Sequence, residues 1–246
     1  MNSFKSSSTL KAETRELLLG KYRYFILILL LMEAIVTIPA FAVSLSGRLS
    51  VTGFIVTLIL VLVLEFITAI LGVGYNYFSL NVGLNRPYRV GNLFYGFTYR
   101  TGQIILIQLL LVLLNLAVLL PVIILYAVLV TLLPSAKVIL TAVAVVAAVY
   151  GMLFITLRYH FVFYIILDYP DATIKDIFRF SAGLMKGNCL RLLYLYVSFL
   201  PYYLLVFCSM GIGLLFVGPY QKMTVTKFYM DLIDCYYRKP SAEVIE

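Results

Sequence analysis

The sequence predicts an all-α fold, a polytopic transmembrane helix bundle, and three observations predict it. Of the 246 residues, 63% are hydrophobic and 12% charged, against about 45–50% and about 25% in an average soluble domain. Mean hydropathy is +1.03 over the whole chain, which leaves no stretch for a sizeable soluble domain. Apolar runs of the about 20 residues that a helix needs to cross a bilayer core recur along the chain, and no window alternates as a barrel strand would.

Five runs meet that length: 24–45, 52–75, 102–126, 138–167 and 189–210. A sixth, 213–233, starts apolar and then carries Pro219, Lys222, Lys227 and Asp231. Hydropathy alone therefore counts five spans. The charges decide between five and six. The connections 45–51 and 131–137 are short and hold one basic residue each, Arg48 and Lys137. The N-terminal arm holds Lys5, Lys11, Arg15, Lys21 and Arg23; the second-to-third connection holds Arg86, Arg89 and Arg100; the fourth-to-fifth holds Lys175, Arg179 and Lys186, with Arg191 just after. Twelve basic residues against two place the N-terminus and the long connections in the cytoplasm by the positive-inside rule. The C-terminal Lys222, Lys227, Arg238 and Lys239 obey the same rule only if the last segment returns, so six spans are preferred.

Each long connection reads as an amphipathic elbow leading into a span. In 173–186, Ile174, Ile177, Phe178, Leu184 and Met185 share one helical face, and Lys175, Asp176, Arg179 and Lys186 lie opposite. Thr173 with Asp176 forms a capping-box-like start, and Gly187 suits the end. The N-terminal arm mixes Leu10, Leu17 and Leu18 with Lys11, Glu13, Arg15 and Glu16. The middle copy, around Leu93, Phe94 and Phe97, is less regular. Three interfacial elbows and three hairpins follow, giving units 1–80, 81–167 and 168–246 within one integral membrane domain, 1–246. The alternative is chance likeness among apolar segments.

The net charge of +8 is spread over membrane-flanking segments, which argues against nucleic acid and for anionic lipid. Lys21, Arg23, Arg89, Arg100, Lys175, Arg179, Lys186 and Arg191 are the candidate headgroup contacts. Cys189, Cys208 and Cys235 lack metal-ligand spacing and read as small buried apolar residues. One histidine, His160, supports neither a metal site nor a triad. Gly72-Val73-Gly74 follows no strand and is not a phosphate loop, so no cofactor is expected. Ala40-Phe41-Ala42 looks like a signal-peptidase site after a span-length run, which reads as an uncleaved signal anchor.

The segment Tyr164-Ile165-Ile166-Leu167-Asp168-Tyr169-Pro170, then Ser181 with Leu184-Met185-Lys186-Gly187, Gly211-Ile212-Gly213, Pro219-Tyr220, Thr224 and Phe228-Tyr229 resembles an uncharacterised bacterial integral membrane family, domain of unknown function 975. Glu16-Leu17-Leu18-Leu19-Gly20 and Leu93-Phe94-Tyr95-Gly96-Phe97 extend the likeness over most of the chain. The chain departs from the pattern in having no Trp and in Pro201-Tyr202, where the family often has Gly-Trp. The resemblance implies a multi-pass protein of the bacterial cell membrane and carries no activity with it.

Ionisable residues inside spans are costly and therefore candidates for function. Glu33, Glu65, Arg158 and His160 are such residues, and Asn115, followed by Pro121, adds a site for interhelical hydrogen bonding and a kink. Glu33 and Glu65 each lie about 14 Å above the same face at 1.5 Å per residue. The sharp reading is an ion relay with Arg158 tuning both carboxylates; the plain one is a structural Glu65–Arg158 pair and a neutral or hydrogen-bonded Glu33. Ala144/Ala148 and Ala147/Gly151 have small-xxx-small spacing, for packing within the chain or for a second copy. With no catalytic set, the expected role is non-enzymatic: binding lipid or protein partners at the basic face. A small transporter or export accessory using Glu33, Glu65 and Arg158 is the alternative, and a membrane-embedded enzyme has least support.

Overall fold

The computed structural model describes residues 4–45 and 51–238. The connection carrying Arg48, and the C-terminal Lys239, lie outside the described residues. In chain order come α1 (Ser7–Leu18), α2 (Tyr22–Leu45), α3 (Val51–Gly83), a 3-10 turn (Val90–Phe94), α4 (Tyr95–Thr98), α5 (Thr101–Leu132), α6 (Lys137–Arg158), α7 (Val162–Asp168), α8 (Ile174–Met185), α9 (Cys189–Val197), α10 (Leu200–Cys208) and α11 (Leu214–Arg238). Among these residues five stretches are long and apolar enough to cross a membrane: Tyr22–Phe41, Ile55–Gly83, Thr101–Leu132, Lys137–Asp168 and Cys189–Cys208. They fall on the five expected runs.

The bundle is packed at one end and splayed at the other. Phe25 and Ile28 of α2, Leu71, Phe78 and Val82 of α3, Phe161 and Val162, and Met223 and Phe228 of α11 are fully or almost fully buried. Beyond them the hairpins α2–α3 and α5–α6 project with Ile59, Leu125, Val138 and Val146 exposed, as faces turned to lipid must be. α3 is 33 residues long, about 50 Å at 1.5 Å per residue, and so serves both regions. Its second half buries Asn76, Ser79 and Asn81.

The basic connections meet at the packed end. The Lys21 ammonium stands 5.8 Å from the Tyr88 ring centre, Arg100 faces Asp171 at 3.9 Å, and Arg191 reaches the Lys5 carbonyl at 3.2 Å.

Two spans are broken. α6 stops at Arg158, and the chain resumes helix at Val162. α9 stops before Ser198, and Pro201 sits in the first turn of α10, where its missing N–H costs nothing. Lys11 of α1 donates to the Ser198 carbonyl at 2.7 Å and lies 4.3 Å from the Phe199 ring centre. Burial there pulls the Lys11 ammonium below its ordinary value. Arg15 donates to the Tyr202 and Tyr220 hydroxyls at 2.8 and 3.1 Å. α1 is thus fastened along α10 and α11, not laid free on a surface.

Of the three expected elbows, α1 and α8 are amphipathic helices. α8 buries Ile177, Leu184 and Met185 and exposes Lys175, Asp176, Arg179 and Lys186. Thr173 accepts from the Asp176 N–H at 3.3 Å, and Gly187 takes φ +81° after the helix. The middle elbow is not such a helix. It is a 3-10 turn and a four-residue helix pressed backbone to backbone on α3, because Gly74 and Gly96 admit it: a Cβ at Gly74 would meet the Leu93 carbonyl oxygen at 1.8 Å, and one at Gly96 the Ile70 oxygen at 2.2 Å.

α11 is one continuous helix of 25 residues, preceded by a turn in which Met210 and Gly211 take positive φ. Although polar in composition, it buries eleven residues from Val217 to Leu232. Asp231 accepts from Arg191 at 3.4 Å and from the Lys5 N–H at 3.3 Å. One further expectation needs correction. None of the three cysteines is buried: Cys208 is exposed and Cys189 and Cys235 are half-buried, all as free thiols. Gly151 does serve packing within the chain, where a Cβ would come 2.4 Å from Val118 of α5.

Candidate functional site

Two neighbouring chambers with shared lining residues lie between the second hairpin and the helices around α11. The first chamber, about 520 Å³, is the richer of the two in polar side chains. α3 contributes Glu65, Thr68, Gly72, Tyr75 and Asn76; α5 contributes Gln108. The broken fourth span contributes His160 and Tyr164, α9 contributes Tyr196, and α11 contributes Gln221 and Lys222. The second chamber, about 550 Å³, is lined mainly by apolar side chains of α3, α5 and α6, among them Leu62, Leu111, Leu116 and Met152, with Asn115, Thr156 and Tyr159 also on its wall. Glu65, Gln108, His160 and Phe163 line both chambers.

The polar residues of the first chamber are ordered by local bonds. Lys222 is half-buried and donates to the Asn76 carboxamide oxygen. Its ammonium lies 4.8 Å from the Tyr75 ring centre and 5.3 Å from that of Tyr164, a cation–π arrangement. Among the described residues no carboxylate lies within ion-pair distance of it; the ion pairs there are Lys5–Glu13, Arg100–Asp171 and Arg191–Asp231. Tyr164 shares a hydrogen bond with Thr226 at 3.0 Å. The helix break after Arg158 turns His160 to the Tyr196 hydroxyl, 3.1 Å from Nε2. Tyr75 is buried, and its hydroxyl has no hydrogen-bond partner among the described residues.

The expected intramembrane residues divide. Glu65 and His160 come together on the boundary between the chambers. Asn115 lines the second chamber, but its amide donates to the Leu111 carbonyl of its own helix at 2.8 Å, not across helices. Glu33 is exposed on α2, where its backbone carbonyl accepts from Thr37, and it lines neither chamber. Arg158 closes α6 beside the Phe154 ring, at 5.9 Å, also outside the cleft; a cation there suits the negative end of the helix dipole.

Of the expected headgroup contacts, Arg23, Arg89, Lys175, Arg179 and Lys186 are exposed at the packed end. Lys21 is half-buried over Tyr88. Arg100 is engaged by Gln103 at 3.1 Å and by Asp171. Arg191 turns inward to Asp231, to Asn188 at 3.0 Å and to the Phe4 ring at 4.1 Å, a structural role.

Sequence reasoning passed over Lys222, Tyr75 and Asn76. Lys222 read as a blemish in a weak span, and the run of α3 in which Tyr75 and Asn76 sit read as the plain end of an apolar helix. The signal available was a lone lysine in mid-helix without a neighbouring acidic residue one turn away. Among the described residues no cluster of metal-ligating side chains occurs.

Helices of this length and composition, ordered as hairpins and enclosing a polar cleft, define a multi-pass α-helical membrane protein. Residues 1–234 match the family described as a protein of unknown function, DUF975, and the chain belongs to that family. No curated protein matches the chain. No solved structure matches it either.

Proposed function

We propose that this protein binds a membrane amphiphile in the two-chamber cleft and acts without catalysing a reaction. One observation carries the reading: a chamber richer in polar side chains and a more apolar one of similar size share Glu65, Gln108, His160 and Phe163 in their walls. A headgroup fits the first and acyl chain the second, each in matching surroundings. The exposed Arg23, Arg89, Lys175, Arg179 and Lys186 add a second, weaker attraction, about 1 kcal/mol per basic residue near an anionic membrane surface. In this reading the packed end faces the cytoplasm, α11 is the sixth crossing, and the chain is three elbow–hairpin units. α11 crosses because protein, not lipid, surrounds its polar groups.

The test is lipid retention. The protein purified in mild detergent should carry co-purified lipid seen by native mass spectrometry. Leu116→Trp, which fills the apolar chamber, should lower the retained lipid at least fivefold with little change in thermal stability. Equal retention in wild type and Leu116→Trp would remove the cleft as the binding site.

A second reading, movement of the amphiphile across the membrane, is favoured by one feature. The helix break at Tyr159–Phe161 places Tyr159 and His160 on the chamber walls, as broken helices line transporter sites. Translocation of a fluorescent lipid in proteoliposomes distinguishes it from static binding.

A further inference from the structure

We propose that the polar chamber selects an anionic, phosphate-bearing headgroup, held by the Lys222 ammonium and the Tyr75 hydroxyl. The inference rests on the amphiphile reading above and adds the chemical class of the ligand.

An ammonium has three N–H donors. One of those on Lys222 goes to Asn76, and the aromatic faces of Tyr75 and Tyr164 attract the charge without accepting a directed bond as oxygen does. No carboxylate in the described residues pairs with it. A half-buried cation in an apolar bundle is costly unless a counter-charge reaches it. Tyr75 supplies the second observation. It is 8% exposed, its hydroxyl is buried without a partner among the described residues, and its ring centre lies 4.8 Å from that ammonium. Buried hydroxyls are rarely left so, and an exception calls for an explanation, of which a bound water or ion is one. A phosphate has several acceptor oxygens, enough for a charge-assisted bond from the lysine and a neutral one from the tyrosine.

The one carboxylate of the chamber does not oppose this. Glu65 lies ten residues before Tyr75 on α3, about 15 Å along the axis. The chamber is therefore positive at its Lys222 end and carries its carboxylate on the wall it shares with the apolar chamber. Space is provided by Gly72, where an added Cβ would meet nothing within 4 Å. The apolar chamber beyond Glu65 indicates a lipid as the source of the phosphate, and free phosphate is the competing source.

The experiment exposes delipidated protein to an equimolar mixture of phosphatidylglycerol and phosphatidylcholine and reads both bound species by native mass spectrometry. Wild type should favour phosphatidylglycerol at least fivefold. Lys222→Gln should bring the ratio near one, Lys222→Arg should restore most of it, and Tyr75→Phe should lower it while its melting temperature stays near wild type. Gly72→Leu should reduce both lipids together. Glycerol 3-phosphate at millimolar concentration should displace neither. An unchanged ratio in Lys222→Gln that still melts like wild type overturns the headgroup assignment and leaves the amphiphile reading standing. Binding of no lipid by wild type overturns both. Displacement by glycerol 3-phosphate, with Leu116→Trp without effect, overturns the lipid and assigns the site to a soluble phosphate.

Discussion

Gly74 and Gly96 have one physical role each, and it is steric. The atoms that a Cβ would strike are the backbone of Leu93 and of Ile70, so no rotation of a side chain relieves the clash. Overpacking of this kind costs about 1–3 kcal/mol. Gly74→Ala and Gly96→Ala should each lower the thermal midpoint in detergent by several degrees. Gly72→Ala should not, because its Cβ enters open space and alanine is better than glycine in a helix by about 1 kcal/mol. Equal midpoints for Gly72→Ala and Gly74→Ala would remove the close approach as an explanation. The sequence separates these two glycines only by position. Which one touches another backbone depends on where the middle connection lands, and nothing local to residues 72–74 encodes that. The same holds for Tyr75 and Lys222, 147 positions apart along the chain, whose meeting makes the polar chamber. Glu65 and His160 were legible as candidates because charge within an apolar run is a local signal. Glu33 and Arg158 gave the same signal, and the fold turns them elsewhere.

Between elements, the contact that decides most is α1 against the broken fifth span. Proline in the first turn of α10 interrupts the helix, and the Ser198 carbonyl is taken by the Lys11 ammonium. That ammonium also lies over Phe199, and the Arg15 guanidinium holds Tyr202 and Tyr220. A hydrogen bond to a charged group contributes about 1.5–3 kcal/mol, and partial exposure of Lys11 puts it at the low end. Lys11→Met should therefore lower the thermal midpoint and speed proteolysis within residues 5–20, while Lys5→Met, whose ammonium meets Glu13 at the surface, should do neither. Matching effects of the two variants would mean that α1 is held by its apolar face alone. The helical spacing of α1 and α8 was legible because amphipathic periodicity is written along one segment. The middle connection was misread as a third such helix, since Leu93, Phe94 and Phe97 are apolar for packing on α3 and not as a stripe. α11 was read as weak for a related reason: hydropathy scores a helix as if lipid surrounded it, and this one is surrounded by α1, α2, α3 and α10.

For the whole molecule, packing and charge point the same way. The end that buries aromatic side chains and holds α1 and α8 also gathers the basic connections, while the described residues of the splayed end carry a single basic residue, Lys137. In the orientation proposed above, anionic lipid on the inner face of the membrane attracts that basic end, as the positive-inside rule expects. With α11 as a sixth crossing, the proposal puts both termini on the cytoplasmic side; among the described residues Lys5 and Asp231 already meet at the packed end. The check uses single cysteines placed in a variant lacking Cys189, Cys208 and Cys235, labelled by a membrane-impermeant maleimide on intact cells. Ser135→Cys, in the turn between α5 and α6, should react at once. Ser7→Cys and Ser241→Cys should react only after the membrane is permeabilised. Reaction of Ser241→Cys in intact cells would reduce the crossings to five and leave α11 without a transmembrane path. Reaction of Ser7→Cys with Ser135→Cys silent would invert the protein. The basic face and the Lys222 end of the cleft would then be turned to the outer leaflet, and the anionic lipid of that leaflet would become the ligand to test.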